Sequence, residues 1–350
     1  MRERFFNLQQ FAIDNVATTQ NYVNPYTGAA TAWTDGMTMS PEMKTYYDTE
    51  LLENARPNLV HAQFGKRAPL PAHKGKNIEF RRFNTLNKAA ALTDGVIPAA
   101  SKFGSSALTA TITQYGDYIS ISDQLDTHAI DPVLLEATKE LGAAAGITLD
   151  EYTRDALMEG TNVMYCPKIN ASTGEETAVV SRATLDATAI LTPKQVNKAV
   201  TILKKANAPK INGKYVAIIH PSVAYDLRQS PEWIEAHKYA AVTELFNGEI
   251  GELHGVRFVE TTEAKIYKGT GSGAIATYCT LFLGQDAYGI IDPEGAGLQM
   301  ITKPASQVGG PLEQFSTAGY KLSTAAKILY QDRILRVESG SSYSAVDEAN

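Results

Sequence analysis

The spacing of apolar and polar positions divides the chain into an aperiodic start, two strand-like runs, one long helix and a block of alternating helices and strands. Residues 1–39 are polar and rich in Thr and Asn, with turn-forming Asn24-Pro25 and Thr27-Gly28, and read as an arm without a core of its own. Ser40-Pro41-Glu42 supplies a capping hydroxyl and a proline at the first helical position. Met43, Tyr47 and Leu51 follow at helical spacing and Pro57 ends the run, which predicts a helix over 41–55. Ile78, Phe80 and Phe83 mark one strand-like run. Thr111 to Ser122 marks another, with Ile119 and Ile121 alternating with serines. The stretch between them, Asn84 to Ala110, is rich in Ala, Gly, Ser and Thr. A connection of that length without a core is uncommon in a compact domain, so it is expected to be either disordered or a projecting hairpin that packs on another molecule.

The strongest helical signal opens at Asp131-Pro132 and runs without proline from Val133 to Glu159, with Gly160 as the expected C-terminal cap. Leu134, Ala137, Leu141, Ala145, Thr148, Tyr152 and Ala156 fall on one face. A helix of this length measures about 40 Å. The small run Gly142-Ala143-Ala144-Ala145-Gly146 sacrifices helix propensity, as expected where another backbone approaches closely. A turn-rich stretch from Lys168 to Glu176 follows. Thr192-Pro193-Lys194-Gln195 then has capping-box spacing and leads into a helix buried through Val196, Val200 and Leu203 and ended by Pro209. Tyr215 to Ile219 reads as a buried strand, and helices are expected after His220-Pro221 and from Ser230-Pro231-Glu232. Strands are expected at Val256 to Val259, Leu281 to Leu283 and Tyr288 to Ile291. Residues 190–300 thus read as a compact α/β domain, and two apolar runs between Tyr320 and Val337 return the chain to a sheet.

Composition changes this picture little. The 350 residues, 44% hydrophobic and 20% charged, suffice for a large core in two domains or one elaborated one. A net charge of −6 gives no global basic footprint and argues against a sequence-reading DNA binder, although it suits a container whose wall must not grip its contents. Cys166 and Cys279, far apart, are expected as reduced, buried thiols. Without a signal-peptide pattern or an apolar run of bilayer length, the expectation is a soluble intracellular product with no membrane partner. The sequon Asn170-Ala171-Ser172 is then a chance match.

Catalytic chemistry finds no foothold. The six histidines (61, 73, 128, 220, 237 and 254) lack metal-site spacing. Lys268 to Gly273 lacks the spacing of a phosphate-binding loop and is expected to be a hairpin tip. No nucleophile elbow or marked acid/base pair occurs, so no catalytic residue, cofactor or metal site is expected and the chain is read as a non-enzyme.

Charge is segregated instead. From Lys66 to Lys102 there are eight basic residues against two acidic ones, a net of +6; from Asp117 to Gly160 there are ten acidic residues against two basic ones, a net of −8. The basic set Lys66, Arg67, Lys74, Lys76, Arg81 and Arg82 and the acidic set Asp131, Glu136, Glu140, Asp150, Glu151 and Asp155 are expected to meet across a subunit boundary, each hairpin lying on a neighbour's helix. Such complementarity steers association and fixes register more than it adds affinity. Two solvated faces with unrelated biases, or a hairpin folded onto its own helix, are the alternatives.

Three motifs carry a family resemblance: Ala217-Ile218-Ile219-His220-Pro221-Ser222 continuing to Asp226-Leu227-Arg228, Gly248 to Arg257 (GEIGELHGVR), and Leu329 to Ser339 (LYQDRILRVES). With the order arm, helix, basic hairpin, long helix, α/β domain and return strands, the chain resembles the tailed-bacteriophage major capsid proteins of the Hong Kong 97 fold, in their N4-like branch. The resemblance implies an α+β chain with an N-terminal arm and first helix (1–63), an extended E-loop hairpin (64–115), a peripheral domain (116–189 and 301–350) with a spine helix over 132–159, and an axial α/β domain (190–300). It implies self-assembly through pentamers and hexamers into an icosahedral head enclosing double-stranded DNA without sequence specificity. A portal, a scaffolding protein and a decoration protein are the implied partners. The implied location is the virion capsid, and the host cytoplasm during assembly. The arm is short, so cleavage of a scaffolding segment is not expected, nor is a Lys–Asn cross-link between subunits. An encapsulin-type nanocompartment shell, a tail or decoration protein of the same virion and, from another class, a cytosolic α/β enzyme are the competing readings.

Overall fold

The computed structural model describes residues 60–70, 76–83, 91, 100, 103–128, 133–170, 173–237, 251–269, 271–293, 297–308, 312 and 314–350. The expected arm and the helix over 41–55 lie outside the described residues, as do Lys74, Lys88, Lys102 and Asp131. The chain divides into two units. One draws its described residues from 114–148 and 295–323; the other comprises 60–113, 149–294 and 324–350.

In chain order the first strands are β1 (Lys66–Leu70), β2 (Asn77–Phe83), β3 (Ser105–Thr111) and β4 (Thr113–Ser122), followed by helices α1 (Asp123–His128) and α2 (Val133–Met158). The hairpin exists, but its returning arm is β3 rather than the run from 111 to 122. β2 and β3 pair antiparallel from Asn77↔Thr111 to Phe83↔Ser105 and form a sheet of two strands. The β3 sequence SSALTAT lies mostly open to solvent, so it shows no apolar alternation, and backbone pairing rather than hydrophobic contrast defines it. At the foot of the ribbon Ile78 and Phe80 pack on Leu70, Ala110, Ile291 and Ala325. Gly289 leaves room there, since a Cβ at that position would stand 3.0 Å from the Phe80 ring.

Helix α2 has 26 residues, close to the expected span. Its first part buries Ala137, Leu141 and Ala145, as the pattern predicts, but after Leu149 the buried positions become Asp150, Thr153, Arg154, Leu157 and Met158. Tyr152 and Ala156, expected on the buried face, are half-buried. The two polar residues in the interior, Asp150 and Arg154, explain the difference, because a hydrophobic pattern assigns such residues to solvent. Gly160 does not take the left-handed conformation of a helix cap. Space explains its size: a Cβ there would come within 3.2 Å of the Leu157 carbonyl oxygen.

The α/β core uses β5 (Val163–Tyr165), two short strands β6 (Lys168–Ile169) and β7 (Glu176–Thr177), α3 (Pro193–Lys205), β8 (Tyr215–Ile219), α4 (Pro221–Gln229) and α5 (Pro231–His237). The chain continues with β9 (Glu252–Leu253), β10 (Val256–Glu260), β11 (Ile266–Tyr267), β12 (Thr277–Leu283), β13 (Tyr288–Pro293), β14 (Gln299–Lys303), the one-turn α6 (Ala305–Val308), β15 (Phe315–Ile328) and β16 (Ile334–Ser339). A seven-stranded sheet has the order β5-β16-β12-β8-β10-β9, with β11 added on β12. Every residue of β8 is buried, as a central strand covered on both faces requires. Val196, Ala199, Val200 and Leu203 of α3 and Val223, Ala224 and Leu227 of α4 belong to its core. Each fully buried Val or Leu side chain contributes about 1.5–3 kcal/mol. Trp233 of α5 meets Phe258 edge-on at 5.8 Å, and Phe258 meets Phe282 at 6.4 Å.

Two details depart from the sequence reading of this block. The sheet takes β5 and β16 from outside 190–300, whereas β13 leaves it to pair with β1 and with Ala325–Ile328 of β15. Thr192 occupies the N-cap of α3 in extended conformation, but its hydroxyl makes no cap hydrogen bond; Pro193 at the first turn is the surviving start signal.

In the other unit β14 pairs antiparallel with Thr317–Lys321 of β15, and β4 pairs with β15 as well. Gly319 allows that approach, because a Cβ there would lie 2.7 Å from Tyr118 Cβ and 2.8 Å from the Asp117 carbonyl oxygen. Among the described residues no helix is long and apolar enough to cross a membrane.

Candidate subunit-contact surface

The basic residues of the hairpin region are mostly open. Lys66, Arg67 and Lys76 are exposed. Arg81 is 74% exposed, with Glu79 at 3.7 Å. Arg82 is half-buried, its guanidinium 6.0 Å from the Tyr330 ring centroid, so it is braced from within its own unit.

The acidic residues of α2 divide into two groups. Glu136 and Glu140 are exposed, Glu136 with an i,i+3 partner in Lys139 at 3.1 Å. Glu151 and Asp155 flank Arg154, whose side chain is 2% exposed, at 3.9 and 3.1 Å. Arg154 also donates to the Glu263 carbonyl oxygen at 2.9 Å, and Asp155 lies 3.2 Å from Lys265. Much of the Asp155 charge is therefore balanced inside the subunit.

Asp150 does not belong with the surface acids. Its side chain is fully buried, and Oδ1 accepts the backbone amides of Val60 and His61 at 2.8 and 2.6 Å while Oδ2 lies 2.5 Å from His61 Nδ1. The His61 carbonyl oxygen accepts from the Tyr288 hydroxyl. A buried carboxylate is tolerable only when hydrogen-bonded in this way, and a charge so enclosed has nothing to offer a neighbouring subunit. The pin ties the segment before β1 to the second half of α2. Position 150 lies four residues after Gly146 and four before Arg154, on the buried stripe, and that spacing was the one signal available in the sequence.

Three further polar clusters went unseen in the sequence. Buried Glu338 accepts two hydrogen bonds from Arg182, at 2.7 and 2.6 Å, while the Arg182 guanidinium stacks 3.5 Å from the Tyr267 ring. Residues 340–350, without regular structure, are tied across α4 and the β11–β12 hairpin: Asp226 accepts the Ser342 amide at 3.0 Å, and Asp347 accepts the hydroxyls of Tyr278 at 2.6 Å and Ser222 at 3.2 Å. His220 caps α4 by accepting the Ser222 amide at 3.2 Å, and its ring lies 5.0 Å from that of Tyr278. Burial holds the His220 imidazole below its ordinary value, against the pull of Asp347. Burial alone would raise Asp347, but hydrogen bonds from Ser344, Tyr278 and Ser222, with His220 nearby, hold it below the usual carboxylate range.

Both cysteines are buried free thiols. Desolvation pushes Cys166 up to about 12 despite Lys198 nearby, so it is almost wholly protonated at neutral pH and is no nucleophile. Lys268, Gly269 and Gly271 to Gly273 lie between the antiparallel strands β11 and β12, as expected of a hairpin tip. Among the described residues no group of three or more His, Cys, Asp or Glu side chains is placed to hold a metal ion.

The described residues thus form an α+β chain with a two-stranded basic ribbon and a 26-residue helix. Solved structures match that fold along nearly its whole length. The capsid of cyanophage P-SCSP1u has a TM-score of 0.61 at 13% identity, covering 97% of this chain and 100% of that one. The capsid of Ralstonia phage GP4 scores 0.61 at 14% identity, covering 95% and 99%. The cyanophage Pam1 capsid scores 0.63 at 13% identity, covering 93% and 100%. No curated protein matches the sequence. The family described as phage capsid protein matches residues 106–327, and the chain belongs to it. It is a structural protein of the phage capsid.

Proposed function

We propose that this chain closes through pentamers and hexamers into the head of a tailed phage of the N4-like branch and encloses double-stranded DNA. In this reading residues 1–63 are an N-terminal arm with its first helix, 64–115 the E-loop, 116–189 and 301–350 the peripheral domain, and 190–300 the axial domain. Assembly runs in the host cytoplasm on a portal, with a scaffolding protein and a decoration protein as further partners. The observation that carries the reading is the β2–β3 ribbon, basic and without a third strand, in the same chain as the exposed acids Glu136 and Glu140. An isolated two-stranded ribbon is marginal in water and gains stability by packing on another surface. Each ribbon lies on the acidic helix of a neighbour, with Lys76 and Arg81 facing Glu136, Glu140 and Glu151; Lys66 and Arg67 stand on β1, which pairs with β13 outside the ribbon, and take no part. Asp150 takes no part, and Lys74 and Asp131 complete the two sets. Many weak contacts of this kind become strong when each subunit makes several at once. The Arg81→Glu/Arg82→Glu variant tests it: electron microscopy of the purified protein should show few closed shells and disassembly at lower salt than wild type. Normal yield and salt resistance would refute the charge pairing.

A further inference from the structure

The exposed face of α3 carries a stripe of lysines that the shell contacts above do not use. Lys194, Lys198, Lys204 and Lys205 are exposed, together with Asn197 and Thr201, whereas Val196, Ala199, Val200 and Leu203 are buried. At 100° per residue those six exposed positions span one third of the helix circumference. Lys210 and Lys214, in the turn before β8, are exposed as well. From Ala187 to Tyr225, 39 residues, there are six lysines and no Asp or Glu, although the composition of the chain would place about four acids in such a length.

Local structure accounts for only part of this. Lys204 and Lys205 suit the negative end of the helix dipole, but Lys194 in the first turn opposes it and needs Glu176 at 2.8 Å. Lys214 pairs with Glu252. Lys198, Lys204, Lys205 and Lys210 have no ion-pair partner among the described residues; Asp332 lines a shallow cleft beside Lys205 without pairing with it.

The chemistry of the stripe selects its partner. Protein interfaces are enriched in Arg and aromatic residues and depleted in Lys, and this face has lysine without arginine, aromatic or aliphatic groups. Lysine is a hydrated point charge, suited to loose, sequence-independent contact with phosphate oxygens. The 13-residue helix is about 20 Å long, and duplex DNA presents one charge per roughly 1.7 Å of axis. We propose that the α3 lysine stripe is the contact between the subunit and the phosphate backbone of packaged double-stranded DNA. The proposal rests on the reading that the shell encloses DNA and assigns that contact to Lys198, Lys204 and Lys205.

The test uses the unassembled full chain and a fluorescent 30-base-pair duplex, titrated at 50 and 200 mM salt. Three lysine–phosphate contacts predict a log–log salt slope of about −2.7, a fall in affinity of about 40-fold over that range. The Lys198→Gln/Lys204→Gln/Lys205→Gln variant should lose most of that slope, while Arg81→Gln/Arg82→Gln keeps it. An unchanged slope in the lysine variant, or loss in the arginine variant instead, overturns the assignment. So does a lysine variant that binds duplex normally but forms shells in low yield, which would make the stripe a contact with an acidic protein face. Wild-type protein that binds duplex through the stripe yet never closes into shells counts against the shell reading alone.

Discussion

Asp150→Ala removes the acceptor of two backbone amides, at 2.8 and 2.6 Å, and the partner of the His61 imidazole at 2.5 Å. The side chains of His61 and Asp150 are 1% and 0% exposed, so no solvent takes over these bonds. An unsatisfied buried donor costs about 1–3 kcal/mol, and breaking a buried pair by removing one member costs about 3–5 kcal/mol. The two figures describe overlapping losses at one carboxylate and are not additive, so about 4 kcal/mol is expected for the alanine variant. Asp150→Asn keeps a carbonyl oxygen for the amides but loses the charge and sets an NH2 donor where Oδ2 met the His61 imidazole, so about half of that loss is expected. Urea unfolding of the unassembled subunit, followed by circular dichroism and tryptophan fluorescence, measures both against Glu140→Ala. That control removes an exposed acid and should stay within about 0.5 kcal/mol of wild type. An Asp150→Ala loss as small as the control's would show that the carboxylate is a surface acid and that the pin does not hold the chain before β1.

Two further outcomes are expected. Gly319→Ala sets a methyl group against the backbone of Asp117 and Tyr118, so β4 must move away from β15; a loss of about 3 kcal/mol and a low yield of soluble subunit are expected, and a normal melting curve would contradict the packing. Acidification should loosen residues 340–350 first. His220 is held below its ordinary value, so the unfolded state takes up its proton first and this contribution is lost as pH falls below about 6.5. Asp347 is held below its ordinary value too, and its contribution is present above about pH 3.9 and lost as pH falls further. Hydrogen exchange at the Ser342 amide should therefore speed up relative to the β8 amides between pH 7.5 and 5, after correction for intrinsic rates; equal protection at both would refute the coupling.

Elements whose signal is local could be read from the order of residues. Proline at a first helical turn located α3, α4 and α5, an unbroken apolar run located β8, and three- and four-residue spacing located α2 to within a residue or two at either end. The imbalance of charge between the hairpin region and the long helix was also legible, because counting charges needs no fold. Tertiary structure alone decided how polar residues divide between surface and interior. Asp150, Arg154 and Glu338 are acids and bases to any pattern, yet the fold buries all three and supplies amides, carbonyls or counter-charges over distances of up to 156 residues in sequence. β3 escaped detection because a ribbon with both faces largely in water needs no hydrophobic alternation. The partners of β5, β13 and β16 are likewise set by hydrogen bonds between strands distant in the chain, and no local preference encodes those.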